Sequence, residues 1–266
     1  MSVQFIESLS DPRLHPFTAL KDRELARDGD RFIAEGQHVV QRLLASSLKT
    51  ESILIARRRL ETIRPLVPDH IPLYVIPDPM IHQVVGYKFH SGVLAIGQRT
   101  TTLTLEQLTA NLPAGSPSTL VICPETNNTE NLGMLIRIAA AFGATGMILG
   151  EHCCDPFYRQ SIRVSMGTVF SLPIVQSRNI AGDLLELRNR HHFELAATVL
   201  DADAELLSQA SRSSRFALLF GGEPHGLSAP IQALCDRQIT IPMKLGTDSL
   251  NVAVAAGIFL YHFTRP

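Results

Sequence analysis

Five stretches of this chain, at residues 119–123, 146–150, 194–200, 216–220 and 238–242, are short and almost continuously apolar. A strand with one face in water alternates apolar and polar residues, whereas a strand covered on both faces has no polar side to show. Helical patterns at about 131–142, 180–190 and 250–263 lie between or after these stretches. The alternation predicts an α/β fold with a mostly parallel sheet and helices on its faces.

The first hundred residues repeat the theme on a smaller scale. Strands are expected at 32–34, 52–56, 73–76 and 92–97. Helical spacing runs through Val39, Val40, Leu43 and Leu44. A helix around 58–66 should end near Pro65 and Pro68, and Pro77-Asp78-Pro79 should turn into another. Residues 111–118 are rich in Pro, Gly and Ser. The expected organisation is a small N-terminal α/β domain over 1–98, a linker over 99–117 and a second domain over 118–266.

With 45% hydrophobic residues among 266, a sizeable core is affordable to either part. The formal net charge of −1 announces neither nucleic acid nor an acidic ligand. Arg57-Arg58-Arg59, with Arg64 nearby, reads equally as a solvated helix start or as a phosphate contact. Four cysteines without a Cys-x-x-Cys pair suit reduced thiols in a cytoplasmic protein. No apolar run approaches the roughly 20 residues of a membrane span, so no membrane partner is expected. The opening residues lack the basic and apolar regions of a signal peptide.

Ligands of open parallel sheets collect at the carboxyl ends of the strands, and three unusual clusters fall there. The first is Asn127-Asn128-Thr129-Glu130-Asn131-Leu132-Gly133, opening a helix with an apolar stripe of Leu132, Leu135, Ile136, Ala139 and Ala140. Gly143 is placed to close that helix. Gly133, Arg137 and Ala141 form a second strip, with Arg137 either a site residue or an ordinary surface arginine. The second cluster is Gly221-Gly222-Glu223-Pro224-His225-Gly226-Leu227 after a buried strand. Its glycines allow close backbone approach, although a plain turn would use them too. It matches neither a dinucleotide fingerprint nor a P-loop. The third runs from Ile241-Pro242-Met243 to Ser249-Leu250-Asn251, entering a helix that is apolar almost all round. Ser249 is expected as its N-cap, and Asn251 as a buried polar group needing a partner.

Together these clusters resemble the SpoU (TrmH) branch of the SPOUT RNA methyltransferases over roughly residues 118–266. Asn131-Leu132-Gly133 with Arg137 matches the family's first motif. Residues 221–227 correspond to the second, with Gly222 where Asn is usual and Pro224 where Gly is usual. Ile241-Pro242-Met243 with Ser249-Leu250-Asn251-Val252-Ala253-Val254-Ala255-Ala256 matches the third. Arg163-Val164-Ser165-Met166-Gly167 looks like the family's R-x-S-x-G stretch. Residues 32–36 and 90–93 are similar, more weakly, to the family's ribosomal-protein-like RNA-binding domain.

The resemblance implies a C-terminal trefoil knot, a homodimer, and S-adenosyl-L-methionine held in the knotted loops. Gly221, Ile241 and Leu250 would line the cofactor, with Gly222, Thr198 and Met243 as further contacts. The implied reaction is methyl transfer to a ribose 2′-hydroxyl of a structured ribosomal or transfer RNA. Arg137 would grip a phosphate or steady the developing alkoxide, because a guanidinium is a poor base. Asn131, Glu223, Ser249 and Asn251 would position it and the substrate. No metal is expected, since the adjacent thiols of His152-Cys153-Cys154-Asp155 fit poorly around one tetrahedral ion. His225 reads equally as a substrate contact or as loop surface. The alternative is a non-catalytic RNA-binding protein that keeps this fold.

Overall fold

The computed structural model describes residues 3–18, 30–87, 89–99, 103–113, 115–222, 225–244 and 249–264. The chain divides into two compact units. One comprises Met1–Thr101 with Pro156–Ser171, the other Thr102–Asp155 with Leu172–Pro266.

In the first unit, β1 (Val3–Phe5), β2 (Arg31–Glu35), β3 (Lys49–Ala56), β4 (Leu73–Ile76) and β5 (Val93–Gln98) form a sheet ordered β1-β4-β3-β5-β2. β4 runs parallel to β1 and β3, and β5 runs antiparallel to β3 and β2. Ile33, Leu54, Ile96, Phe17 and Phe89 are packed in its core. β1 escapes the sequence reading because three residues with no fully buried side chain carry little periodicity. The helix expected over 58–66 is instead a 3-10 turn at Arg57–Arg59, one α turn at Leu60–Ile63 and a second 3-10 turn at Arg64–Leu66. Pro65 brings no N–H to an α-helical ladder, so the helix stays fragmentary.

Residues 156–171 lie inside the span expected for the second domain, yet they pack with this first unit. The ring of Phe32 contacts Phe157 and Phe170 at centroid distances of 5.1 and 5.4 Å. Arg159 pairs with Glu35 at 2.8 Å, with side chains only 15% and 11% exposed. Arg42 donates to the Met166 carbonyl at 2.6 Å. The Arg159–Val164 helix ends where Gly167 N–H returns to the Ile162 carbonyl and Met166 N–H to that of Arg163. The Arg163-x-Ser165-x-Gly167 stretch is therefore a helix terminus, with Met166 in the left-handed region at φ 55°.

In the second unit, β6 (Ser118–Cys123), β7 (Gly146–Leu149), β8 (Ile174–Gln176), β9 (Glu194–Val199), β10 (Glu205–Leu206), β11 (Arg215–Leu219) and β12 (Arg237–Thr240) form an all-parallel sheet, ordered β10-β12-β9-β11-β6-β7-β8. Leu120, Ile122, Leu195 and Leu219 face a cluster that includes Leu184 and Leu187 of the Ile180–Asn189 helix. On the opposite pleat, Phe216 and Phe220 meet Phe263 and Phe259 of the Val252–Thr264 helix. Covering both faces explains the apolar runs; each such side chain contributes about 1.5–3 kcal/mol of burial. β8 and β10, three and two residues long, are too short to be read from sequence. The Thr129–Ala141 helix packs on Val252–Thr264 and closes at Gly143, φ 70°, with Ala144 N–H on the Ala139 carbonyl. Among the described residues, no helix is long and apolar enough to cross a membrane.

Candidate functional site

Parallel strands bring their carboxyl ends to one edge. Here β9 ends at Thr198–Val199, β11 runs on into Phe220–Gly222, and β12 runs on into Ile241–Met243. These ends surround a cavity of about 520 Å³ in the second unit. Thr198, Gly221, Gly222, Ile241, Met243 and Leu250, the positions expected to contact a cofactor, all line it, as do Ser249 and Asn251. Phe220 and Phe259 add an aromatic wall. The Thr198 hydroxyl donates to the Leu219 carbonyl at 2.8 Å, tying the ends of β9 and β11 together.

The two glycines have a reason within the chain itself. A Cβ on Gly221 would stand 2.1 Å from the Gly226 carbonyl carbon and 2.3 Å from Leu227 N. One on Gly222 would stand 2.6 Å from the Glu125 carbonyl oxygen. Gly226 N–H closes the turn on the Gly222 carbonyl at 3.0 Å. The close approach inferred from sequence is thus made first by the protein's own backbone. Glu223 and Pro224 lie outside the described residues, and His225 is exposed.

Asn131 and Asn251 join the first and third clusters. Asn131 is 5% exposed, and its Oδ1 accepts from Asn251 Nδ2 at 3.0 Å. Asn251 Oδ1 accepts from Ala253 N at 2.9 Å and Val254 N at 3.4 Å. Asn251 is therefore the cap of the Val252–Thr264 helix, correcting the assignment of that role to Ser249. It is also exposed, not buried. The buried amide needing a partner is Asn131, and Asn251 supplies it.

Arg137 is exposed on the Thr129–Ala141 helix, has no polar partner among the described residues and lines neither this cavity nor its neighbour. Within one chain the structure does not bring it to the other expected site residues. Gly133, one turn earlier, is buried and does not extend an open strip along the helix.

A second cavity, of about 420 Å³, abuts the first and shares Gly222 and Val252 with it. Thr126, Asn127, Asn128, Thr129 and Asn131 complete its lining. The sequence places Asn127 to Asn131 in a strand-end cluster, but Thr126 is not singled out there. Its signal was four consecutive uncharged polar residues, 126–129, two residues beyond a buried strand. Asn128 caps the helix, its Oδ1 accepting from Glu130 N at 2.8 Å and Asn131 N at 3.2 Å. The nearby thiols are not nucleophiles. Burial raises Cys153 and Cys154 to about 11 and pushes Cys123 well above its ordinary value. Among the described residues, no group of three or more His, Cys, Asp or Glu is placed to hold a metal.

The fold and this site define a class: a parallel α/β protein whose strand-end loops enclose a pocket of cofactor size beside an uncharged polar recess. Within that class, the chain belongs to the SpoU rRNA methylase family, whose profile matches residues 118–261. An uncharacterized tRNA/rRNA methyltransferase of Mycobacterium bovis is 34% identical over 273 residues, spanning 100% of this chain and 93% of that protein. The 23S rRNA (guanosine-2′-O-)-methyltransferase RlmB of Acinetobacter baylyi is 28% identical over 238 residues, 86% of this chain and 95% of its own. The solved structure of an AdoMet-bound rRNA methyltransferase from Sinorhizobium meliloti aligns with a TM-score of 0.81 at 25% identity, covering 98% of this chain and 97% of that one.

Proposed function

We propose that this chain is an S-adenosylmethionine-dependent RNA 2′-O-methyltransferase acting on ribosomal or transfer RNA. The carrying observation is the convergence of Thr198, Gly221–Gly222, Ile241–Met243 and Ser249–Asn251 on one cavity in a member of the SpoU family. The residues fit the cofactor. The volume lies within the roughly 300–1,000 Å³ of small-molecule sites, the aromatic and aliphatic wall suits an adenine, and loop backbone and the Ser249 hydroxyl offer polar contacts.

When bound, S-adenosylmethionine supplies an electrophilic methyl group on a sulfonium leaving group. The chain's own part is to align a ribose oxygen and manage its charge. In this reading Asn131, Ser249 and Asn251 orient the substrate, with Glu223 as a further positioning residue. Arg137 grips a phosphate or steadies the developing alkoxide through its fork of donors.

Arg137 takes that role in a homodimer. Met134 on the same helix is exposed, as are Val254, Ile258 and Tyr261 at i, i+4 and i+7 of the last helix, which packs against it. A monomer seldom leaves such a stripe in water. Pairing through it would offer each Arg137 to the neighbouring subunit. The C-terminal segment is proposed to be knotted. Two observations support this: β12 lies on the far side of β9 from β6, and Asn251 reaches back to Asn131. Residues 1–98 are proposed to bind the RNA, residues 118–266 to carry the reaction, and the protein to work in the cytoplasm.

The test is calorimetric titration with S-adenosylmethionine, followed by transfer of labelled methyl to total RNA from cells lacking the gene. Protection of single riboses against alkaline cleavage is the expected result. Cofactor binding without any transfer would support the non-catalytic reading instead.

A further inference from the structure

The second cavity has a chemistry of its own. Its polar lining is hydroxyls and carboxamides, with no Lys or Arg. Thr126 is 3% exposed, and its Oγ1 is fully enclosed without an oxygen or nitrogen partner. The Cys123 and Cys153 thiols stand beside it, and burial favours the protonated form of both. The hydroxyl's hydrogen bonds go to these two thiols, and a thiol is a weak partner. A buried hydroxyl held by thiols alone gains from an oxygen or nitrogen partner.

Of the neighbouring carboxamides, Asn127 donates its Nδ2 to Glu125 Oε1 at 3.2 Å. The Asn128 and Asn131 side chains make the bonds described above through their oxygens, and their NH₂ groups have no partner among the described residues apart from the contacts given. The helix start is not an anion site, because Asn128 Oδ1 already takes the N–H groups of Glu130 and Asn131. A phosphate would find no Lys or Arg in this lining. A planar heterocycle with donors and acceptors around its rim would find carboxamides and a hydroxyl, the groups that read base edges.

We infer that this recess receives the base of the target nucleotide, with Thr126, Asn127 and Asn128 as its specificity-determining contacts. The inference rests on the methyltransferase reading. The two cavities meet at Gly222 and Val252, with the Asn131–Asn251 bond between the clusters that line them. A nucleotide whose base occupies the second cavity therefore has its ribose at the border of the first.

The test uses the full chain saturated with S-adenosylhomocysteine. AMP, GMP, CMP, UMP and base-free ribose 5-phosphate are titrated while the asparagine side-chain amide signals are followed by ¹⁵N NMR. At least one nucleotide should saturably shift the Asn127, Asn128 and Asn131 amides, and ribose 5-phosphate should not. Thr126→Val should weaken that nucleotide about fivefold or more, and Thr126→Ser should restore it. Asn127→Ala, at an exposed position, should weaken it as well and decides the matter if Thr126→Val does not fold. Affinity for S-adenosylhomocysteine should be unchanged in all three. Equal shifts with ribose 5-phosphate, or nucleotide binding indifferent to these substitutions, overturns the inference. Wild-type protein that binds S-adenosylhomocysteine and no nucleotide overturns it too. Failure to bind S-adenosylhomocysteine at all counts against the methyltransferase reading, whatever the nucleotides do.

Discussion

The Asn251 side chain donates to Asn131 Oδ1 at 3.0 Å across a sequence separation of 120 residues, while its own oxygen caps the last helix. One side chain thereby joins the start of the Thr129–Ala141 helix to the start of the Val252–Thr264 helix. It holds the wall between the two cavities.

Asn251→Asp keeps the capping oxygen and removes the donor to buried Asn131. Thermal stability should fall modestly, by about 1 kcal/mol, while methyl transfer drops at least tenfold. Asn251→Ala loses cap and donor together and should cost about 2–3 kcal/mol. Equal stability of the two variants would show that the cap contributes nothing.

Gly221→Ala places a methyl group on the backbone of Gly226 and Leu227, neither of which is a flexible side chain. Cofactor binding should be lost even if the unit remains folded by circular dichroism. Gly226→Ala meets no atom within 4 Å and is strained only by its φ of 66°, about 1 kcal/mol. Its cofactor affinity should fall far less.

Arg159→Met leaves Glu35, 11% exposed, without its ionic partner. Breaking a largely buried pair by removing one member should cost the first unit about 2–4 kcal/mol in urea denaturation. The double variant Arg159→Met with Glu35→Gln should recover part of that loss, and a double variant no better than the single one contradicts the assignment.

Cys153 and Cys154 titrate near 11 in the folded chain because burial opposes the thiolate, against about 9 when unfolded. Below pH 9 both states hold the proton and stability is unaffected. Between pH 9 and 11 the unfolded chain releases protons that the folded chain retains, so stability falls as pH rises. Denaturation midpoints should decline over that window, and less steeply in the Cys153→Ser, Cys154→Ser double variant. Iodoacetamide at pH 8 should label these thiols much more slowly than free cysteine.

Tyr261, 62% exposed, and Val254, 47% exposed, sit on the stripe proposed to pair two copies. Tyr261→Glu should shift sedimentation from dimer to monomer and abolish transfer while cofactor binding persists. Arg137→Ala should abolish transfer without changing the oligomeric state. A fully active Tyr261→Glu monomer would refute delivery of Arg137 to the neighbouring subunit.

Much of this was legible beforehand, for identifiable reasons. β6 and β11 are buried on both pleats, and that condition writes itself as almost continuous apolar runs. Gly143 closes its helix with positive φ, a demand glycine meets and most residues do not. The cavity positions from Thr198 to Leu250 were named because strand ends and motif spacing are local properties. The failures are also local in cause. Ser249 and Asn251 both suit a cap, and only the path of the chain decides which of them faces the free N–H groups.

By itself, the sequence determined the parallel α/β architecture, the family and the stretches that build the cofactor cavity, since each follows from periodicity or from short fixed spacings. Tertiary structure alone decided that residues 156–171 pack with the first unit, that Asn251 reaches Asn131, and that Thr126 sits enclosed beside the Cys123 and Cys153 thiols. The physical reason is range. Each of those outcomes depends on side chains far apart in the chain meeting in a desolvated place, and no pattern within a window of neighbouring residues encodes such a meeting.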